Sequence, residues 1–132
     1  MIKVEINYQV KVPLKLETLF NKVAVSISRK LKIKKLLPVS VALVSQQVIK
    51  RLNQRYRGQN KVTDVLSFPE LNEILICYQR AVFQAKERKQ SQQEQLAWLF
   101  CHGLLHLLGY HHRTKSREKI IRKLEAGALE EI

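Results

Sequence analysis

Cysteine is scarce in this chain, with only Cys77 and Cys101 among 132 residues and no paired spacing between them. That pattern argues against a disulfide framework, so no disulfide-linked partner is expected and a reducing, cytoplasmic setting fits best. The opening MIKVEINYQV alternates polar and apolar residues, unlike an export signal, which pairs a basic region with an apolar one. Long apolar runs are also missing. The most apolar stretch, Leu96 to Leu108, is too short to span a bilayer and contains two histidines, so it reads as a buried helix and no membrane association is expected. Acidic residues are few, 11 against 24 Lys and Arg, and Asp64 is the only aspartate. The resulting formal charge of +13 points to a polyanionic partner without choosing between RNA, DNA and anionic lipid. No repeat, linker or low-complexity tract divides the chain, and 45% hydrophobic residues can supply one core, so a single domain over 1–132 is expected.

Periodicity gives the elements. Ile2, Val4, Ile6, Tyr8 and Val10 alternate with polar residues as in a half-buried strand. After Pro13, the set Leu16, Leu19, Phe20, Val23, Ile27 and Leu31 follows helical spacing, with Lys15, Lys22 and Lys30 on the polar face. Pro38 to Val44 reads as a second strand. Ser45 then caps a helix whose Val48, Leu52 and Tyr56 share one face; Tyr56 is read as core. Val65 to Phe68 and Ile74 to Cys77 have strand length and sit close enough to pair. Ser91 with Glu94 matches a capping box, starting a helix that ends at Gly109. A last helical segment, Ser116 to Ile132, carries Ile120, Ile121, Leu124, Ala128 and Leu129 as its apolar stripe.

All four histidines fall inside CHGLLHLLGYHH. His102 and His106, four apart on a helix, project from one face and can reach one ion. Gly109 lets the chain turn back, which brings a third imidazole, His112, toward the same ion and leaves a fourth position open, as in catalytic zinc sites. One divalent ion, zinc by preference, is therefore expected. Cys101 lies about 100° around the helix from His102 and reads as packing. The zinc-protease pattern H-E-x-x-H needs a glutamate where this chain has Gly103, which disfavours peptidase chemistry.

These residues carry a family resemblance. HGLLHLLGYHH resembles the H-G-x-L-H-L-x-G-Y-D-H motif of the YbeY endoribonucleases, bacterial rRNA maturation factors, and NQRYRGQNKVTDVLSFP resembles their N-x-x-Y-R...T-D-V-L-S-F-P segment. NEILIC stands where that family has G-D-I-V-I-S. The resemblance runs over nearly the whole chain. It implies an α+β, zincin-like metal-hydrolase fold, with a small mixed sheet of about four strands packed with helices and the metal site at the end of a buried helix. It further implies zinc on His102, His106 and His112, with Arg57 as the catalytic basic residue. The activity implied is single-strand cleavage of ribosomal RNA, in rRNA maturation and ribosome quality control, with the ribosome or its small subunit as partner. His111 replaces the family aspartate, which leaves His111 and His112 as alternative ligands, and the family register favours His112. Asn72 and Glu73 replace G-D, and the loop after Pro69 is shorter than in the family.

Zinc lowers the pKa of bound water to near neutrality, which removes the need for a glutamate base. The fixed charge and planar fork of Arg57 suit a phosphodiester gaining negative charge. Asp64 and Ser67 are candidates to orient Arg57 or the substrate, with a strand-edge polar group and a packed hydroxyl as the plainer alternatives. Lys50, Arg51, Arg55 and Lys61 flank Arg57 and could track an RNA backbone. The alternative function is a non-catalytic RNA- or ribosome-binding assembly factor with a structural metal; a hydrolase for small phosphate esters is a third.

Overall fold

A computed structural model describes residues 1–111 and 114–132. The elements run β1 (Ile2–Tyr8), α1 (Glu17–Lys30), β2 (Leu37–Val44), α2 (Gln46–Arg57), β3 (Val65–Phe68), β4 (Glu73–Cys77), α3 (Tyr78–Glu87), α4 (Gln92–Leu107) and α5 (Lys115–Glu130). The four strands form one mixed sheet in the order β1-β2-β4-β3. β1 and β4 pair parallel to β2, and β3 pairs antiparallel to β4. This is the expected α+β architecture.

The faces of the sheet explain the strand patterns. β1 lies at an edge and alternates between sheltered and exposed residues. β3 and β4 are covered on both sides. Ile74 and Ile76 point into a core shared with Phe20, Val23 and Ile27 of α1 and with Leu96, Phe100 and Leu104 of α4. Leu66, Phe68, Leu75 and Cys77 point the other way, into a smaller cluster closed by Ile49 of α2. Burial on both faces accounts for continuous apolar runs where alternation is absent. Phe20 and Phe100 stack at 4.5 Å between centroids and join α1 to α4.

The β3–β4 connection is a single 3-10 turn, Pro69–Leu71, ending at Asn72 with φ +50°. Asparagine enters this left-handed region more readily than most residues, which lets the shortened loop close without glycine. The α4 capping box forms as expected, Ser91 Oγ accepting from Glu94 N and Glu94 Oε1 accepting from Ser91 N.

Three readings need correction. The buried residues of α2 are Ile49 and Asn53, about one residue's rotation from the Val48/Leu52/Tyr56 stripe. Tyr56 is 56% exposed and touches Phe68 edge-on. On α5 the buried positions are Ile121, Glu125 and Ala128, while Ile120 is exposed. Helix α3 has no counterpart in the periodicity reading; it follows β4 without a break and buries only Ala81 and Ala85.

Helix α4 approaches the sheet closely at Gly103. A β-carbon there would stand 2.9 Å from Ile74 Cγ2 and 3.0 Å from Val65 Cγ2, methyls of stiff β-branched side chains. Overpacking of this kind costs about 1–3 kcal/mol, and the helix propensity of alanine returns about 1 kcal/mol. Gly103→Ala is therefore expected to destabilise the protein by about 1 kcal/mol net, read as a lower urea midpoint; an unchanged or raised midpoint would show that α4 has room to shift.

Candidate functional site

The imidazoles are placed by the last turn of α4. Gly103 faces the sheet and Phe100 faces α1, so helical rotation turns His102 and His106 to the flank away from α1. Their rings lie 4.6 Å apart between centroids. The helix ends in a Schellman turn: Gly109 adopts φ +95°, its N–H bonds to His106 O at 3.0 Å, and Tyr110 N bonds to Leu105 O at 2.9 Å. The returning chain sets the His111 ring edge-on to His106, 5.7 Å between centroids. His112 lies outside the described residues.

His102 is held from two further directions. Its ring stacks on Trp98, one turn earlier, with centroids 5.0 Å apart and planes 16° apart. The Arg88 guanidinium covers Trp98 at 5.1 Å. From α5, the buried Glu125 places Oε2 2.9 Å from His102 Nδ1. Cys101 is fully buried, and burial pushes its thiol pKa up to about 12, so it packs as expected.

This donor set suits an ion that takes nitrogen ligands, as zinc does. His102 and His106 share one helical face, and a carboxylate holds the Nδ1 of one of them, as is usual behind metal-binding histidines. Among the described residues no three His, Cys, Asp or Glu side chains converge in a metal-holding group, so the described part of the site is the His102/His106 pair with His111 beside it.

Arg57 ends α2 on the other side of strand β3. Asp64 O accepts from Cys77 N at 2.8 Å. By strand alternation the backbone groups of Leu66 and Phe68 also turn to β4, and those of Val65 and Ser67 turn to the free edge. Arg57 Nη2 donates to Ser67 O there at 3.4 Å. The Ser67 hydroxyl donates inward to Gly103 O at 2.7 Å. Ser67 thus links Arg57 on the edge to α4 next to His102.

The remaining candidates fall into two groups. Asp64 is part of the strand edge: Oδ1 accepts from Val65 N at 2.8 Å and Oδ2 from Gln84 Nε2 at 3.1 Å. Gln84 in turn accepts from Gln95 at 2.7 Å. These contacts match the plainer reading of Asp64, and Ser67 is likewise a packed hydroxyl. Lys50, Arg51, Arg55 and Lys61 are exposed, and Arg55 lies over the Tyr56 ring at 5.5 Å. The sequence reading missed Glu125 and Trp98. Trp98 could have been found, since it lies four residues before His102 on the same helical face; Glu125, on another helix, could not.

The sequence model described as Endoribonuclease YbeY matches residues 2–132. The chain belongs to the YbeY family. Among its relatives, the Ureaplasma urealyticum serovar 10 protein named Endoribonuclease YbeY is 41% identical over 122 residues, covering 86% of this chain and 79% of that one. The protein of that name from Spiroplasma citri is 33% identical over 129 residues, with 86% and 82% covered. A Thermotoga maritima protein solved in solution superposes with a TM-score of 0.66 at 31% identity, over 99% of this chain and 91% of that one. YbeY membership and the α+β fold thus agree with the reading from the two motif blocks.

Stability separates the linking role of Ser67 from the exposed position of Arg57. Ser67→Ala removes a buried hydroxyl bond to a helix carbonyl and is expected to cost about 1 kcal/mol. Arg57→Ala, at an exposed residue, should stay within about 0.5 kcal/mol of the parent. Chemical denaturation of both variants checks the contrast, and equal losses would show Arg57 to be mainly a strand-edge support.

Proposed function

We propose that this chain is a metal-dependent, zinc-preferring endoribonuclease that cleaves single-stranded ribosomal RNA during rRNA maturation and ribosome quality control. The observation that supports this most is the Arg57–Ser67–Gly103 link, which sets a fixed cation and the imidazole-bearing turn of α4 against one sheet edge. Family membership adds the endoribonuclease name that the relatives carry. Ribosomal RNA and the small subunit are the proposed partners, and the cytoplasm the proposed setting.

In this reading His102, His106 and His112 hold the ion. When bound, it acts as a Lewis acid that makes water acidic enough to ionise near neutral pH. Arg57 meets the phosphodiester and stabilises the negative charge that builds there, its planar fork matching two phosphoryl oxygens. Lys50, Arg51, Arg55 and Lys61, exposed around Arg57, hold the flanking backbone, a contact that weakens as salt rises. Gly103 has no room for the glutamate that metalloproteases use as base, so proton transfer does not pass through that position.

One observation favours the non-catalytic reading. Glu125 ties α5 to His102, so an ion at the histidines would also brace that helix. The two readings separate on Arg57. Under the catalytic one, Arg57→Ala lowers cleavage of a single-stranded rRNA fragment by about 100- to 1000-fold, with metal content and melting temperature kept, and a chelator abolishes cleavage by the parent. Cleavage by Arg57→Ala at the parent rate, or parent activity indifferent to chelator, would refute it.

A further inference from the structure

Glu125 belongs to no motif block that the family resemblance uses, yet among the described residues it is the only buried charged one, and its carboxylate lies against His102. It is brought there from 23 residues further along the chain, on a helix docked independently by Ile121 and Ala128. A carboxylate accepts hydrogen bonds, so the 2.9 Å contact selects the imidazole tautomer with its proton on Nδ1 and its lone pair on Nε2. Trp98 fixes the plane of the same ring by stacking at 5.0 Å, and Arg88 holds the outer face of Trp98. Hydrogen bond and stack together define the tilt of the His102 ring and which of its nitrogens carries the lone pair. The capping box and sheet packing of α4 involve other residues than these contacts.

We infer that Glu125 is a positioning residue for the metal centre: it sets the His102 tautomer that presents Nε2 to the ion, and Trp98 holds that ring in plane. The inference rests on the metal reading above for its last step, but not for the tautomer. A buried carboxylate 2.9 Å from Nδ1 also stabilises positive charge developing on the ring when the other nitrogen binds a cation. Docking of α5 and metal affinity are therefore coupled through one hydrogen bond. Trp98 is the only tryptophan in the chain, so its emission reports on the His102 ring directly.

The experiment uses the full chain. Two-bond proton–nitrogen NMR of the metal-free protein, at a pH where imidazoles are neutral, reads the His102 tautomer. Zinc affinity is measured by competition with a chromophoric chelator and by Trp98 emission, for the parent and for Glu125→Leu, with thermal melting as the control for folding. The parent is expected to carry the proton on Nδ1. Glu125→Leu is expected to lose that preference and bind zinc about 10- to 100-fold more weakly. An Nε2-protonated His102 in the parent overturns the inference even if the variant fails to fold, as does a folded variant with parental zinc affinity. A parent with the Nδ1 proton but no zinc binding instead refutes the metal reading and leaves the tautomer assignment standing.

Discussion

The contact on which the rest depends is the near-touching of α4 and the sheet at Gly103, fastened by the Ser67 hydroxyl on the Gly103 carbonyl at 2.7 Å. Because position 103 has no side chain, the helix sits close enough to the β3–β4 ribbon for a strand hydroxyl to reach a helix carbonyl. That depth fixes the rotation of α4, and rotation decides where His102 and His106 point. The same serine turns its carbonyl outward to Arg57. One residue pair thus registers the helix, the edge strand and the cation against each other. A glutamate in place of Gly103 would have to displace Ile74 and Val65 before it could act as a base. Packing at Gly103 and the motif both disfavour the H-E-x-x-H protease pattern.

Around this lock the site is assembled from elements that differ in how firmly they are held. His102 is constrained by Trp98 below, Glu125 behind and His106 beside it. His106 is tied into the Schellman turn through its own carbonyl, so its position follows from the Gly109 conformation. Arg57 is different. It stands at the C-terminal end of α2, exposed, with one long hydrogen bond to the strand edge.

Much of this was legible in the sequence where local physics decides the outcome. The β1 alternation, the Ser45 and Ser91 caps and the i, i+4 histidine pair all depend on neighbours in the chain, and all appear in the structure. Tyr56 was misread because its stripe is only about one residue's rotation from the one that is buried, and the decision between them belongs to Leu66, Phe68 and Leu75 across the interface. Helix α3 was missed because no side-chain cap marks its start and its only fully buried residues are two small alanines, although its sequence is amphipathic. Glu125 was invisible for a deeper reason. A glutamate on a basic helix looks like a solvated charge until the helix is docked and the carboxylate is found on an imidazole nitrogen.

The central claim, that the α4 histidines hold an ion through nitrogen and that the buried thiols take no part, is open to direct spectroscopic test. X-ray absorption at the zinc edge of the loaded full-length chain measures ligand type and distance together. The account predicts a shell of nitrogen and oxygen ligands at about 2.0–2.1 Å with imidazole scattering and no sulfur. A sulfur shell at about 2.3 Å, or the absence of imidazole scattering, would contradict it.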